Sequence, residues 1–395
     1  MKRKYIRKID PEVRNAVIIH SDEPFKVILY TKEYEQCRPT LEKLGVKVTA
    51  ELPLIDGYIV ELPAGMIEKL ALRKNISYIA ADIDVQAQMN IATKAVGADA
   101  MHASGVRGQG VGIAILDTGV YPHPDFTMPR NRIAAFVDIV NGRDAPYDDN
   151  GHGTFVAGVA AGNGRESGGL YRGIAPDADI VALKVMDRDG AGRTSDVLTA
   201  MQWVADNYQR YNIKVVSLSL GASVTSFSRD DAMERGAEQL WRRGITVVVA
   251  AGNEGPSPMT ITVPGTSRLL LTVGASDDHR TPAVNDDTVA DFSSRGPVNQ
   301  RPKPDIVAPG VNIVATNTEA TYLPGRRLVR PSQFYTTMSG TSVSTPLVAG
   351  LAALLYQQQP KITPDQVKQE LMKNAQRIAG TRNSVGSGVA HVQAL

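Results

Sequence analysis

The chain has 395 residues, 43% hydrophobic and 21% charged, with 43 basic against 41 acidic side chains and a formal net charge of +2. That length suits one large domain with a smaller one attached, and the near balance of charge removes any electrostatic case for nucleic acid or a membrane surface as partner. A single cysteine, Cys37, excludes an intrachain disulfide.

Residues 1–14 are basic but lack the apolar core of a signal peptide, and 16–19 (AVII) is too short to supply one. No run approaches the ~20 apolar residues that cross a bilayer. A cytoplasmic address is therefore expected, in keeping with the unpaired cysteine. Residues 26–31 (KVILYT) read as a strand, 33–44 as a helix stopped by Gly45, and 47–63 as two strands around a turn at Asp56-Gly57. Residues 66–73 are again helical and 76–85 again strand-like. The order β-α-β-β-α-β predicts a small α+β, ferredoxin-like unit with a split βαβ sheet.

From about residue 95, glycine becomes frequent and strands alternate with helices. Buried strands are expected at 112–117, 180–185, 215–220, 246–250, 270–275 and 306–308, with helices at 195–208 and 230–243. Short continuous apolar strands alternating with helices predict an α/β, doubly wound, mostly parallel sheet covered on both faces. In such sheets chemistry gathers at the carboxyl ends of the strands.

Four polar residues fall at such places. Asp117 closes the run GIAILD, where a pinned, partly dry carboxylate can accept a hydrogen bond from an imidazole. His152 lies in DDNGHGT and opens a helix of small residues through Ala161; the positive end of the helix dipole there favours the neutral imidazole that a general base needs. Ser342 lies in SGTSVSTP and runs into an apolar helix at 347–356, so its own N–H can point at a developing oxyanion. Asn253, in VVAAGNE, can donate its amide to the same charge. Taken singly, each has a plain structural reading: a turn or cap aspartate, a capping histidine, an N-cap serine, a turn asparagine. Together, in the order Asp…His…Ser, they match the subtilisin order among serine hydrolases, not that of chymotrypsin or the α/β-hydrolases.

Asp117-Thr-Gly119, His152-Gly-Thr154, Ser219-Leu-Gly221, Ala251-Gly-Asn253, Asp305-Ile-Val-Ala-Pro-Gly310 and Gly340-Thr-Ser-Val-Ser-Thr-Pro346 resemble the signatures of the subtilisin-like serine peptidases over roughly residues 95 to 395. The resemblance implies that Asp117 orients His152, that His152 takes the proton of Ser342, and that Asn253 stabilises the oxyanion. It implies substrate-binding edges at Gly190 and Gly192 and at Ser219, Leu220 and Gly221, holding an extended peptide by β-augmentation. Ala251 and Gly252, within 250–253, and the loop to Gly265 would wall the pocket for the residue before the cut. Residues 1–88 resemble the family's inhibitory propeptide in element order, with residues 89–395 as the catalytic domain. Cleavage between them is expected at 85–93, on the polar segment 86–90. The expected product is a monomeric, self-processed serine endopeptidase whose partners are protein or peptide substrates and its own propeptide. It needs no cofactor for chemistry.

The chain departs from the family at Val343-Ser344, where Met-Ala is usual, and residues 162–173 lack the asparagine-rich calcium loop of secreted members. Structural calcium is left open: Asp277-Asp278 and Asp286-Asp287 flank a polar loop that can hold a weak ion, though a solvated acidic turn is expected. Asp187-Arg-Asp-Gly190 opens like an EF-hand loop but has Leu198 where the terminal glutamate belongs. Residues 108–112 (GQGVG) precede their strand and so do not form a dinucleotide loop. Arg326, Arg327 and Arg330 are expected in a solvated loop, and Cys37 as a small packing or surface side chain. A serine esterase is the alternative chemistry. Against it, Ser342 lacks the Gly-x-Ser-x-Gly elbow, since position 344 is serine. A scaffold on an inactive peptidase fold would not need all four residue types.

Overall fold

The computed structural model describes residues 6–9, 13–14, 24–53, 56–81, 89–221, 232–325 and 330–393. The chain divides into two compact units, Met1–Gln86 and Ala87–Leu395. Of the expected cleavage range 85–93, residues 85–88 lie outside the described residues, as do Arg326 and Arg327; Arg330 is exposed.

The first unit follows the expected order: β1 (Phe25–Thr31), α1 (Tyr34–Lys43), β2 (Lys47–Leu52), β3 (Gly57–Leu62), α2 (Ala64–Ala71) and β4 (Ile76–Ala81). Its sheet runs β2-β3-β1-β4 with every neighbour antiparallel, as a split βαβ arrangement requires. Asp56 takes the left-handed turn conformation (φ 49°) at the tip of the β2–β3 connection. Cys37 and Leu41 of α1 and Ile67 and Leu70 of α2 are buried with Val27, Leu29, Val60 and Leu62 of the sheet. Cys37 is therefore a packing residue, and burial pushes its thiol above the usual range.

The second unit begins with α3 (Met89–Ala95) and α4 (Ala98–Ala103) and is built on β5 (Gly112–Asp117), β6 (Ile133–Asp138), β7 (Asp179–Lys184), β8 (Ile213–Leu218), β9 (Thr246–Ala250), β10 (Leu271–Asp277), β11 (Thr288–Val289) and β12 (Ile306–Pro309). The order is β11-β10-β9-β8-β5-β7-β6, with β12 also on β10. All pairs are parallel except β10–β11. The chain winds from central β5 toward β6 and β7, then crosses back to β8, β9 and β10. That reversal opens a crevice at the carboxyl ends of β5 and β8, the usual binding place in open α/β sheets.

Between β5 and β6 lies the short α5 (Pro124–Thr127). Helices α6 (His152–Ala161), α7 (Thr194–Asn207) and α8 (Ala232–Arg242) cover the sheet, and α9 (Thr341–Gln358) packs against α6 and against β8, β9 and β10. From Val343 to Tyr356 every residue of α9 is buried. A helix apolar on all sides belongs inside, and this one carries the serine at its start. Two further helices, α10 (Pro364–Lys373) and α11 (Arg382–Val385), follow. The hairpin of β13 (Ile313–Thr316) and β14 (Tyr335–Met338) was not expected from the sequence. Its strands stand 18 residues apart with no local turn signal.

One expectation is corrected. The acidic loop after β10 is not a solvated turn throughout: Asp278 and Asp287 are 1% and 3% exposed. They sit where β10 and β11 pair, so the short ladder draws them under the loop.

Candidate active site

Asp117 ends β5 with its carboxylate 1% exposed. Its Oδ1 accepts the Thr118 N–H at 2.8 Å and lies 2.7 Å from His152 Nδ1. A carboxylate only accepts, so Nδ1 carries the hydrogen and a neutral His152 keeps Nε2 free to take a proton. Among the described residues no group hydrogen-bonds the buried Asp117 Oδ2. Gly153 permits this approach: a Cβ there would strike the Gly119 carbonyl and lie 3.2 Å from Asp117 Cβ.

The carboxylates around His152 pull its pKa the opposite way from the neutral state expected at a helix start. Burial does favour the neutral ring, but the charge and hydrogen bond of Asp117 and the charge of Asp148 outweigh it, so the pKa is raised above its ordinary value. Two nearby carboxylates raise the pKa against the desolvation that lowers it.

Asp148, which sequence reasoning missed, sets the position of the His152 segment. Its Oδ1 accepts the Thr118 hydroxyl (2.9 Å) and the N–H groups of Asn150 (3.1 Å) and Gly151 (2.9 Å). Its Oδ2 accepts the Thr154 N–H (2.8 Å) and hydroxyl (2.6 Å). The Thr118 hydroxyl in turn accepts the Gly153 N–H at 2.9 Å, tying the end of β5 to the first turn of α6. Asp148→Asn places an NH2 against donors on one side and should cost about 1–3 kcal/mol of stability. It also removes a charge that raises the His152 pKa, so the acidic limb of kcat/KM should move to lower pH. Thermal unfolding and a pH–rate profile check both; a limb that stays in place would refute the electrostatic half. Fully buried Lys184 completes the frame, donating to the Thr118 carbonyl (2.6 Å), Asp149 Oδ1 (2.7 Å) and the Met186 carbonyl (2.9 Å). Three acceptors meet its three hydrogens, as a buried ammonium requires.

On the other side, Ser342 occupies the first turn of α9, and Gly340 precedes that helix at φ 154°, ψ 162°. A Cβ on Gly340 would fall 3.0 Å from Ser342 Oγ, 3.5 Å from Asn253 Nδ2 and 3.7 Å from the Ser342 nitrogen. One small space is therefore bounded by a hydroxyl, an amide donor and a backbone donor, and only glycine leaves it open. Asn253 is held by Thr341, whose N–H and hydroxyl donate to its Oδ1 at 2.9 and 3.0 Å. With its oxygen so committed, Asn253 turns Nδ2 toward that space. Ser344, at the departure from Met-Ala, is buried and donates to the Ala308 carbonyl at 2.9 Å, so the additional hydroxyl is satisfied.

A cleft of about 220 Å³ opens here, lined by Ser219, Leu220 and Gly221 after β8, by Ala250, Gly252, Asn253 and Glu254 around the end of β9, and by Thr262, Thr341 and Ser342. Three of the expected substrate residues do not line it. Ala251 is fully buried, donating to the Val273 carbonyl and accepting from the Thr262 N–H, because it still follows the sheet. Gly190 and Gly192 lie on the exposed turn after β7, where Gly192 pairs with Met186. Thr341 was legible as the residue before the serine, whereas nothing local marked Thr262. Among the described residues no group of three or more His, Cys, Asp or Glu side chains is arranged to hold a metal ion.

The sequence pattern of the subtilase family matches residues 108–388. Serine protease AprX of Bacillus subtilis is 43% identical over 322 residues, 79% of this chain and 72% of that protein. A thermostable alkaline protease of Halalkalibacterium halodurans is 30% identical over 392 residues, 99% of this chain and 91% of that one. Among solved structures, S41 psychrophilic protease superposes with a TM-score of 0.61 at 32% identity, covering 72% of this chain and 92% of its own. Sphericase gives 0.59 at 31%, covering 72% and 92%. A doubly wound sheet, an aspartate bonded to a histidine, and a serine beside a fixed amide thus coincide with extensive likeness to known proteases: the chain belongs to the subtilase family and is a serine endopeptidase.

Proposed function

We propose that Asp117, His152 and Ser342 act as the catalytic triad, with Asn253 and the Ser342 N–H as oxyanion donors. Ser342 Oγ attacks the peptide carbonyl while His152 Nε2 takes its proton, and Asp117 holds the ring and balances the imidazolium. The oxyanion lies between Asn253 Nδ2 and the Ser342 N–H. Collapse breaks the C–N bond as His152 returns the proton to the departing amine, and water repeats the sequence on the acyl-enzyme. The observation carrying this reading is the pairing of the 2.7 Å Asp117–His152 hydrogen bond with the Thr341-fixed Asn253 beside Ser342.

The substrate in this reading is an extended polypeptide, and the Ser219–Leu220–Gly221 edge of the cleft offers it main-chain partners. Gly190 and Gly192 remain in the proposal as the facing edge, which an added peptide strand would engage. Residues 1–88 act as an intramolecular chaperone and inhibitor that the enzyme removes itself. The mature enzyme works as a monomer, and its lone buried Cys37 supports a cytoplasmic setting.

The test is mass spectrometry of the purified full chain treated with a fluorophosphonate, beside Ser342→Ala. The expected result is a label on Ser342 of a species shortened by about 90 residues, with the variant unlabelled and full length. A label on another residue would overturn the nucleophile. A labelled chain that never shortens would overturn self-processing alone.

A further inference from the structure

Strand β10 ends at Asp277, which pairs with Thr288 of β11 on an antiparallel rung, after Ser276 with Val289. Continuing that register by one rung sets Asp278 opposite Asp287. Residues two apart on a strand share a face, so Ser276 and Asp278 fall on the same side. Opposed Cβ atoms stand about 4.5–5.5 Å apart, and like charges so placed repel. Three oxygen-bearing side chains are thereby gathered under the loop, and they are 0%, 1% and 3% exposed for Ser276, Asp278 and Asp287.

Protein groups do not account for them. Among the described residues, Asp278 Oδ1 accepts the Arg280 N–H at 3.0 Å, its Oδ2 and both oxygens of Asp287 have no partner in hydrogen-bond geometry, and the Ser276 hydroxyl, close enough to the Asp287 carboxylate to lower its pKa, makes no hydrogen bond of normal geometry. The His279 ring is engaged with the Thr288 hydroxyl at 3.0 Å and lies 3.8 Å from Asp277, so it bridges neither carboxylate. The Asp286 carboxylate receives the Thr281 hydroxyl at the loop surface. Burial first, then Asp278 and Asp286, push the Asp287 carboxyl up to about 7, a measure of how poorly this pocket tolerates bare charge.

We propose that Ser276, Asp278 and Asp287 bind a calcium ion. A divalent cation between the carboxylates turns their repulsion into shared attraction and supplies the partner that Asp278 Oδ2 and Asp287 lack. The donors are hard oxygens with no sulfur among them, which suits calcium over softer transition metals; its remaining positions, in a shell of about six to eight, fall to carbonyls and water. The site also reaches the active centre. The Ser276 carbonyl accepts the Gly310 N–H at 2.9 Å, and the Gly310 carbonyl accepts the Gly340 N–H at 2.8 Å, two residues before the nucleophile. An ion holding β10 to β11 thus braces the turn that presents Ser342.

The experiment uses the full chain carrying Ser342→Ala, which prevents self-digestion, stripped with EGTA and titrated with calcium chloride in a calorimeter. Thermal unfolding is followed at each calcium concentration. Calcium is expected to bind and raise Tm in a concentration-dependent way. Added Asp287→Asn should weaken binding at least tenfold and abolish the rise, while its Tm in EGTA matches or exceeds the parent's, because a buried charge is gone. Ser276→Ala should weaken binding severalfold and serves as the deciding variant should Asp287→Asn fail to fold. A parent with neither calcium heat nor a calcium-dependent Tm would overturn the site, as would undiminished affinity in a folded Asp287→Asn or, failing that, in Ser276→Ala. The readout is metal binding, so the result does not depend on the triad proposal.

Discussion

Ser342→Ala is expected to lower kcat on an extended peptide amide by about 10⁶-fold, the scale already known for removal of the serine from subtilisin itself, while KM changes little. The cleft walls from Ser219–Gly221 and from Ala250 to Glu254 do not depend on the hydroxyl, so substrate still binds. Loss of Oγ removes the acyl-enzyme, and with it the division of one difficult step into two easier ones. Asn253 remains fixed by Thr341 and the Ser342 N–H persists at position 342, so a residual rate of about 10³–10⁴ over water should survive. Adding His152→Ala to Ser342→Ala should then cost little more, because a base without its nucleophile has nothing to activate. Steady-state kinetics of the two single variants and the double variant test this. Losses that multiplied in the double variant would mean that the two side chains act independently.

Asp117→Asn is expected to cost about 10⁴-fold in kcat, the magnitude found for the same change in a triad on an unrelated fold. The wild-type Oδ1 accepts from both His152 Nδ1 and the Thr118 N–H, and among the described residues Oδ2 has no hydrogen-bond partner. If the asparagine oxygen stays at Oδ1, the imidazolium has lost its counter-charge. If the amide flips, its NH2 faces Nδ1 and forces the hydrogen onto Nε2, which can then no longer take a proton. Both arrangements also remove the strongest influence raising the His152 pKa. A base works when unprotonated, so activity in the wild type falls as pH drops through that raised pKa. In the variant the acidic limb should move to lower pH, even as the plateau collapses. A pH–rate profile measures both at once; a loss under tenfold with an unmoved limb would sink the assigned role.

Much of this was readable from residue order alone. The strands 112–117 and 246–250 coincide with β5 and β9 because runs such as IAIL and TVVV are buried on both faces and have no competing period. The start of α9 was harder. Ser342 read as an N-cap running into an apolar helix at 347–356, yet α9 already begins at Thr341 and carries Pro346 inside it. Burial of Val343, Ser344 and Thr345 overrides their weak helix preference. Strand β6 escaped notice because its IAAFVD segment has neither a clean alternation nor a continuous apolar run.

Sequence by itself determined the chemistry: which aspartate, histidine, asparagine and serine stand beside strand ends and helix starts, and hence the reaction class. Those features are local, set by a few residues on either side. Only the tertiary structure decided how they are held and what charge they feel. Asp148 touches Thr118 thirty residues away, Thr341 grips Asn253 across 88 positions, and the sign of the His152 pKa shift follows from carboxylates brought in from elsewhere in the chain. It also decided that Asp278 and Asp287 are buried and not solvated, because exposure depends on which strands pair. Neighbours in space, not in sequence, set hydrogen-bond satisfaction and electrostatic environment.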